Sequence, residues 1–165
     1  MQDYRAIRKK ALTIFFAILL LDQASKHWAN SSLAGAPPQK HLGILTLTYA
    51  QNSGAWGSLG ANWPTTIRTF ALIVIPAIVL IALAVHIFRQ QELIKWEAYG
   101  CAFLVSGGLG NLIDRVRFRY VIDFLYLGYG PIGTNIFNIA DMAVLVGAGL
   151  LIFGSWNNKK EKSSD

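Results

Sequence analysis

Cysteine is nearly absent from this chain. The lone Cys101 among 165 residues has no partner for an intrachain disulfide and excludes a multi-cysteine zinc site. Charge is scarce as well. Only 15% of residues are charged, against about 25% in a soluble globule. The histidines, His27, His41 and His86, are scattered, and no H-E-x-x-H pair occurs, so the metallopeptidase signature is missing. Apolar residues fill the chain instead, at 53%, with a mean hydropathy of +0.39. A soluble domain, a disordered chain and a disulfide scaffold all fit this composition badly. A pI of 9.6 and a net charge of +6 suit either a nucleic-acid binder or a membrane protein with basic cytoplasmic ends. The apolar content favours the membrane, with no nucleic acid as partner.

Four stretches are long and apolar enough for a bilayer span of roughly 20 residues. They run from about Ala11 to Ala29, Thr69 to Phe88, Ala98 to Ile113 and Phe137 to Trp156. The second contains Pro76, which membrane helices tolerate. The third is rich in Gly, Ala and Ser, which predicts close helix packing. One membrane domain over residues 1–158 and a frayed polar tail over 159–165 follow. A cleaved signal peptide is the rival for the first stretch, with Ala34-Gly35-Ala36 as the cleavage site. The long segment from Leu21 to Ala36, carrying Asp22 and Lys26, argues for a retained helix.

An even number of spans puts both termini on one side. Arg5, Arg8, Lys9, Lys10, Arg89, Lys95, Lys159, Lys160 and Lys162 lie near the termini or the loop between helices 2 and 3, nine of fifteen Lys and Arg. The expectation is cytoplasmic termini. Trp28, Trp63, Trp96 and Trp156 fall near helix ends, where interfacial rings belong. In the outer loops, residues 45–49 and 117–124 alternate like strands, the second with one apolar and one polar face. They predict a small extracytoplasmic sheet at the membrane surface.

The acidic residues divide by side. Asp3, Glu92, Glu97, Glu161 and Asp165 read as solvated cytoplasmic charges. Asp22, Asp114, Asp123 and Asp141 gather toward the outer face. An aspartate at bilayer depth costs roughly 2.5–3.5 kcal/mol on insertion scales. Lys26, four residues after Asp22, offers a structural ion pair, and Arg115 offers one to Asp114. Asp123 and Asp141 have no adjacent cation, which favours a functional role. Two carboxylates sharing a site hold one proton between them. The charged member takes a proton from water while the neutral member polarises a carbonyl, which is general acid–base hydrolysis. Asn111 and Asn138 each stand three residues before an aspartate, on one helix face with it. Asn52 stands in Asn52-Ser53-Gly54-Ala55. Such amides suit an extended peptide backbone, or else cap helices and turns. Gly107-Gly108-Leu109-Gly110 fails the phosphate-loop context, because no strand precedes it.

Five segments follow one another in this order: Asp22-Gln23-Ala24-Ser25-Lys26, Asn52-Ser53-Gly54-Ala55, Gly107 through Arg115, Val121-Ile122-Asp123-Phe124 and Phe137-Asn138-Ile139-Ala140-Asp141. In these the chain resembles the bacterial signal peptidase II family of membrane aspartic peptidases. It implies an all-α membrane fold, a four-transmembrane-helix bundle with a small extracytoplasmic β-cradle. It implies a multi-pass enzyme of the bacterial inner (cytoplasmic) membrane that cuts diacylglyceryl-modified prolipoproteins before the lipidated cysteine. Asp123 and Asp141 match the catalytic pair. Asp22, Lys26, Asn52, Gly54, Asn111, Asp114, Arg115 and Asn138 match positions that shape the site or hold substrate. The implied partners are prolipoproteins and membrane lipids, with no metal, no cofactor and a monomeric state. One departure is Trp56-Gly57, where many relatives carry a small residue and then an aromatic. The alternatives are a small ion- or proton-coupled transporter using the aspartates as a relay, and a non-catalytic scaffold.

Overall fold

Asp3 opens the first helix, its carboxylate accepting the backbone N–H groups of Arg5 and Ala6 at 3.0 and 3.1 Å. From there α1 runs unbroken over Tyr4–Ser32 in the computed structural model, which describes residues 3–41, 43–90 and 94–162. It starts well before Ala11 because the basic segment ahead of the apolar run is itself a good helix former behind a cap. Glu92 and Asp165, expected as surface charges, lie outside the described residues.

The second apolar stretch is one continuous helical run. It comprises α2 (Thr65–Thr69), a π-helical turn (Phe70–Val74) and α3 (Ile75–Arg89). The π turn precedes Pro76. Proline has no N–H for the preceding turn, and the Ile75 N–H reaching back to the Phe70 carbonyl widens the helix there. The third helix, α4 (Lys95–Phe118), is longer than 98–113 and ends where Arg119 turns left-handed at φ 69°. The fourth, α5 (Ile139–Lys162), starts later than Phe137 and continues past Trp156 into the tail expected to fray. Among the described residues, two helices are long and apolar enough to cross a membrane by length and composition alone: Thr65–Ile87 and Ile139–Asn157. Leu12, Phe16 and Leu20 on α1, Ile78 and Ile81 on α3, and Leu145 and Ile152 on α5 are exposed.

Helix α4 is the hub. At one end Ala98 and Ala102 pack on Ile7 and Ala11 of α1, and Trp96 meets the ring of Phe153 on α5. At the other end, residues of α1, α4 and the start of α5 meet in a polar cluster. Helices α1 and α4 therefore run parallel, with α5 antiparallel to both. The glycines permit this approach. A Cβ at Gly107 would strike the Ala140 carbonyl oxygen, and one at Gly147 would sit 2.7 Å from the Gly100 carbonyl oxygen.

The polar end carries an antiparallel sheet in chain order: β1 (Gln39–His41), β2 (Leu45–Asn52), β3 (Val121–Tyr129) and β4 (Ile132–Gly133). Ile122 and Phe124 pack with Ala29 of α1 and Leu33 just past its end, seating the sheet on the helices. The sheet departs from expectation in three respects. The first strand extends beyond Tyr49 to Asn52. In the second stretch, Arg117 and Phe118 belong to α4, and the strand starts only at Val121. The apparent alternation over 117–120 is a helix end and its left-handed cap, where Phe118 stacks on Tyr120 at 5.8 Å. Nor does β3 show one polar face: Val121 through Phe124 are all buried, because both faces of the strand are covered at that point.

Candidate active site

Three buried charges tie the elements together. Lys26, on α1, donates to Asp22 Oδ2 at 3.0 Å, to Asp114 Oδ2 at 3.1 Å and to Asn111 Oδ1 at 2.8 Å. An ammonium has three protons, and here each has an acceptor. Asp22 is 0% and Lys26 2% exposed, so neither charge is tolerable without its partners. The carboxylates reach further. Asp22 Oδ1 accepts the N–H of Ala140 in the first turn of α5 at 2.9 Å. Asp114 Oδ2 accepts the N–H of Ile122 on β3 at 3.2 Å. The triad thus fixes α1, α4, α5 and β3 relative to each other.

The Asp22–Lys26 pairing matches its helical spacing. The pairing of Asp114 with Arg115 does not form: neighbours on a helix point apart, so Asp114 takes Lys26 and Arg115 reaches elsewhere. Arg115 donates to the Gly54 carbonyl oxygen at 2.9 Å, pinning the loop after β2. Its buried Nε has no partner among the described residues.

Asn138 is not on a helix face with Asp141 but just ahead of α5, as its cap. Its Oδ1 accepts the Asp141 N–H at 3.0 Å, and Asp141 Oδ2 accepts the Asn138 N–H at 3.2 Å. That is a reciprocal capping box with aspartate at the third helical position. The side chain also reaches a carboxylate directly: Asn138 Nδ2 donates to Asp123 Oδ1 at 2.6 Å. One residue therefore holds both Asp123 and Asp141. Asn111, its oxygen oriented by Lys26, donates to Asp141 Oδ1 at 2.8 Å. Asn52 Nδ2 donates to Asp123 Oδ2 at 3.0 Å, while its Oδ1 accepts the Gly54 N–H at 3.1 Å.

A bulge helps to aim Asp123. Leu47 pairs with Leu125 but Ala50 with Asp123, so Thr48 and Tyr49 face Phe124 alone. Such an extra residue bends the strand and redirects side chains. Burial, then the nearby charge of Asp141, pushes the Asp123 carboxyl up to about 6. The hydrogen bonds from Asn52 and Asn138 and the charge of Lys26 only partly oppose this.

Beside Asp123 lies a cavity of about 600 Å³ that reaches along β2. Gly57, in the unusual Trp56-Gly57 pair, has φ 64°, and a Cβ there would lie 3.0 Å from Asn135 Nδ2. An aromatic in this backbone conformation would be strained. All ten singled-out residues, Asp22, Lys26, Asn52, Gly54, Asn111, Asp114, Arg115, Asp123, Asn138 and Asp141, belong to one hydrogen-bonded lattice. Gln23, which the sequence reading does not single out, joins this lattice. Its Nε2 donates to Asp22 Oδ2 at 3.1 Å and to the Gly110 carbonyl oxygen at 3.3 Å. A polar amide next to Asp22 in an apolar helix was the available signal. Among the described residues, no group of three or more His, Cys, Asp or Glu is arranged to hold a metal.

The fold and its sequence have relatives. A solved bacterial membrane enzyme structure obtained in meso at 2.3 Å superposes with a TM-score of 0.77 at 24% identity, over 93% of this chain and 92% of that one. A second, at 1.9 Å, gives 0.74 at 26% identity, over 88% and 91%. Lipoprotein signal peptidases of Streptococcus pyogenes serotypes M5 (strain Manfredo) and M3 (strain SSI-1) are 34% identical over 154 residues, 92% of this chain and 97% of theirs. The family model for signal peptidase (SPase) II matches residues 14–157. That match takes in every residue of the carboxylate–amide lattice, and the chain belongs to the signal peptidase II family of membrane peptidases.

Proposed function

We propose that this chain is an intramembrane aspartic endopeptidase that removes signal peptides from diacylglyceryl-modified prolipoproteins, cutting before the lipidated cysteine. The observation that carries this reading is Asn138 donating to the carboxylates of both Asp123 and Asp141. Its side-chain amide donates to the Asp123 carboxylate and its backbone N–H to the Asp141 carboxylate, and two carboxylates held by one residue suit acid–base work. The chemistry needs one proton between them, and Asp123, pushed up to about 6, is suited to hold it. Neutral Asp123 hydrogen-bonds the scissile carbonyl, and charged Asp141, aligned by Asn111, takes a proton from water. The water oxygen bonds to the carbonyl carbon. The C–N bond then breaks, and the leaving nitrogen collects a proton from the pair.

The remaining polar positions have supporting tasks. Asp22, Lys26 and Asp114 hold the frame, Asn52 and Gly54 shape the loop edge, and Arg115 anchors it. The exposed apolar faces of α1, α3 and α5 suit lipid, the substrate's acyl chains and its signal helix. Four spans with cytoplasmic termini agree with the parallel course of α1 and α4 and the return of α5. The sheet and the aspartates then stand at the outer face of the bacterial inner membrane, and the protein acts as a monomer. The transporter relay has no support: the buried carboxylates form one cluster at one end, and the family is one of peptidases.

The test is a gel-shift cleavage assay with purified protein in detergent and a prolipoprotein with or without its diacylglyceryl group. Cleavage confined to the lipidated form, undiminished by EDTA, and lost by at least a thousandfold in Asp123→Asn and Asp141→Asn is the expected result. Substantial cleavage by either folded variant overturns the dyad.

A further inference from the structure

The cavity that ends at Asp123 has a chemistry of its own. Its walls carry Thr46, Thr48 and Gln51 of β2, Tyr126 of β3, and Thr134 and Asn135 beyond β4, with apolar surface from Pro38, Ala50 and Ile136 between them. The threonines, amides and phenol are polar, and Asp123 is the only ionisable carboxyl among the residues lining it. Thr46 to Asn52 spans roughly 20 Å of strand, the length of about six extended residues at ~3.3 Å each. The bulge at Thr48 and Tyr49 takes that part of β2 out of its ladder with β3 beside the carboxylate.

Such a trough, with hydroxyls and amides set among small apolar surfaces, suits an extended polypeptide. Acyl chains or an apolar signal helix laid on it would strip water from hydroxyls and amides and return no hydrogen bonds. The exposed apolar faces of α1, α3 and α5 serve those parts of a substrate far better. A peptide crossing the carboxylate pair has two sides, and only the chain that follows the scissile bond leaves into water.

We infer that this trough binds the first residues of the mature chain after the lipidated cysteine, in extended form, and sets a preference for uncharged polar residues there. The inference rests on the peptidase reading. Hydroxyls and amides along β2 take the backbone and short side chains of the departing segment, so affinity for the mature end contributes to substrate capture.

Two lipidated substrates test it, one with eight residues after the cysteine and one ending in a cysteine amide. For the wild type, kcat/KM should be about tenfold higher for the longer substrate, mainly through KM. In Thr48→Trp, which fills the trough, that ratio should fall toward one. Thr48→Glu and Thr48→Lys should shift preference in opposite directions between longer substrates with Lys or Glu at the third mature position. An opposed shift cannot come from misfolding, which lowers both substrates alike. Equal cleavage of long and short substrates by the wild type overturns the inference and leaves the peptidase reading intact. So does a shift of the same sign in both charge variants. Failure of the wild type to cleave either substrate overturns both.

Discussion

Asp123 combines near-complete burial with an unpaired position in sequence, and a titration consequence follows. Its carboxyl normally titrates at 3.8 and here is raised to about 6. The folded state therefore holds the proton more tightly than the unfolded chain. The associated stability is fully present below 3.8 and is lost as pH rises through about 6. A rise of about two pH units, at ~1.4 kcal/mol each, sets a ceiling of about 3 kcal/mol. Asp123→Asn cannot ionise, so its thermal stability in detergent should gain on the wild type between pH 4 and pH 6.5 and run parallel outside that window. The constant penalty of turning an amide proton toward Asn52 or Asn138 cancels in this comparison. A flat difference across the window would show that Asp123 is not perturbed. At this scale, residue chemistry was legible in the chain. An aspartate without a nearby cation in an apolar protein points to function, whereas the partner of Asp114 was not legible. The adjacent Arg115 was a plausible partner, but the helix turns it away and brings in Lys26 from 88 positions earlier.

Among the elements, long apolar runs announced the helices, while their ends and the strands were read less well. Helix α4 outlasts its apolar stretch because backbone bonding continues through Arg117 until Arg119 turns left-handed. Hydropathy cannot register that. Strand β3 defeats alternation because it is buried on both faces at its start. The glycines of α4 and α5 make the sharpest element-scale prediction. Gly107→Ala would push its methyl into the Ala140 carbonyl oxygen, at the head of α5 beside Asp141. It should destabilise the fold by about 1–3 kcal/mol and depress turnover. Gly149→Ala meets nothing within 4 Å. It should be neutral or stabilising by up to ~1 kcal/mol from helix propensity. Thermal unfolding and cleavage rates of the two variants, side by side, check the contrast. Equal tolerance would mean that α4 and α5 are not held by that approach.

The whole molecule places its buried carboxylates, its sheet and its loop cavity at one end. Arg5, Arg8 and Arg89 gather at the other, where Arg8 donates to the Gln90 carbonyl oxygen at 2.7 Å. An orientation with the basic end in the cytoplasm predicts a labelling pattern. Tyr129→Cys, on the exposed tip of the sheet, should react with a membrane-impermeant maleimide in intact spheroplasts. Arg5→Cys should react only after lysis. Cys101 is buried and gives no background. The reverse pattern would invert the topology and put the cleavage site on the wrong side for an exported lipoprotein.

Sequence by itself determined the membrane class, the presence of four long helical stretches and the residues of the lattice. Composition, periodicity and side-chain type are local properties, written directly in the chain. Only the tertiary structure decided who holds whom. Asn138 became at once the cap of α5 and the link between Asp123 and Asp141. Asp22 became an acceptor for the head of a helix 118 positions away. Those roles depend on directions in space, set by the close approach of α4 to α5, the parallel course of α1 and the bulge in β2. A capping residue and a residue that bridges two carboxylates look alike in sequence, and they differ only in what the fold brings against them.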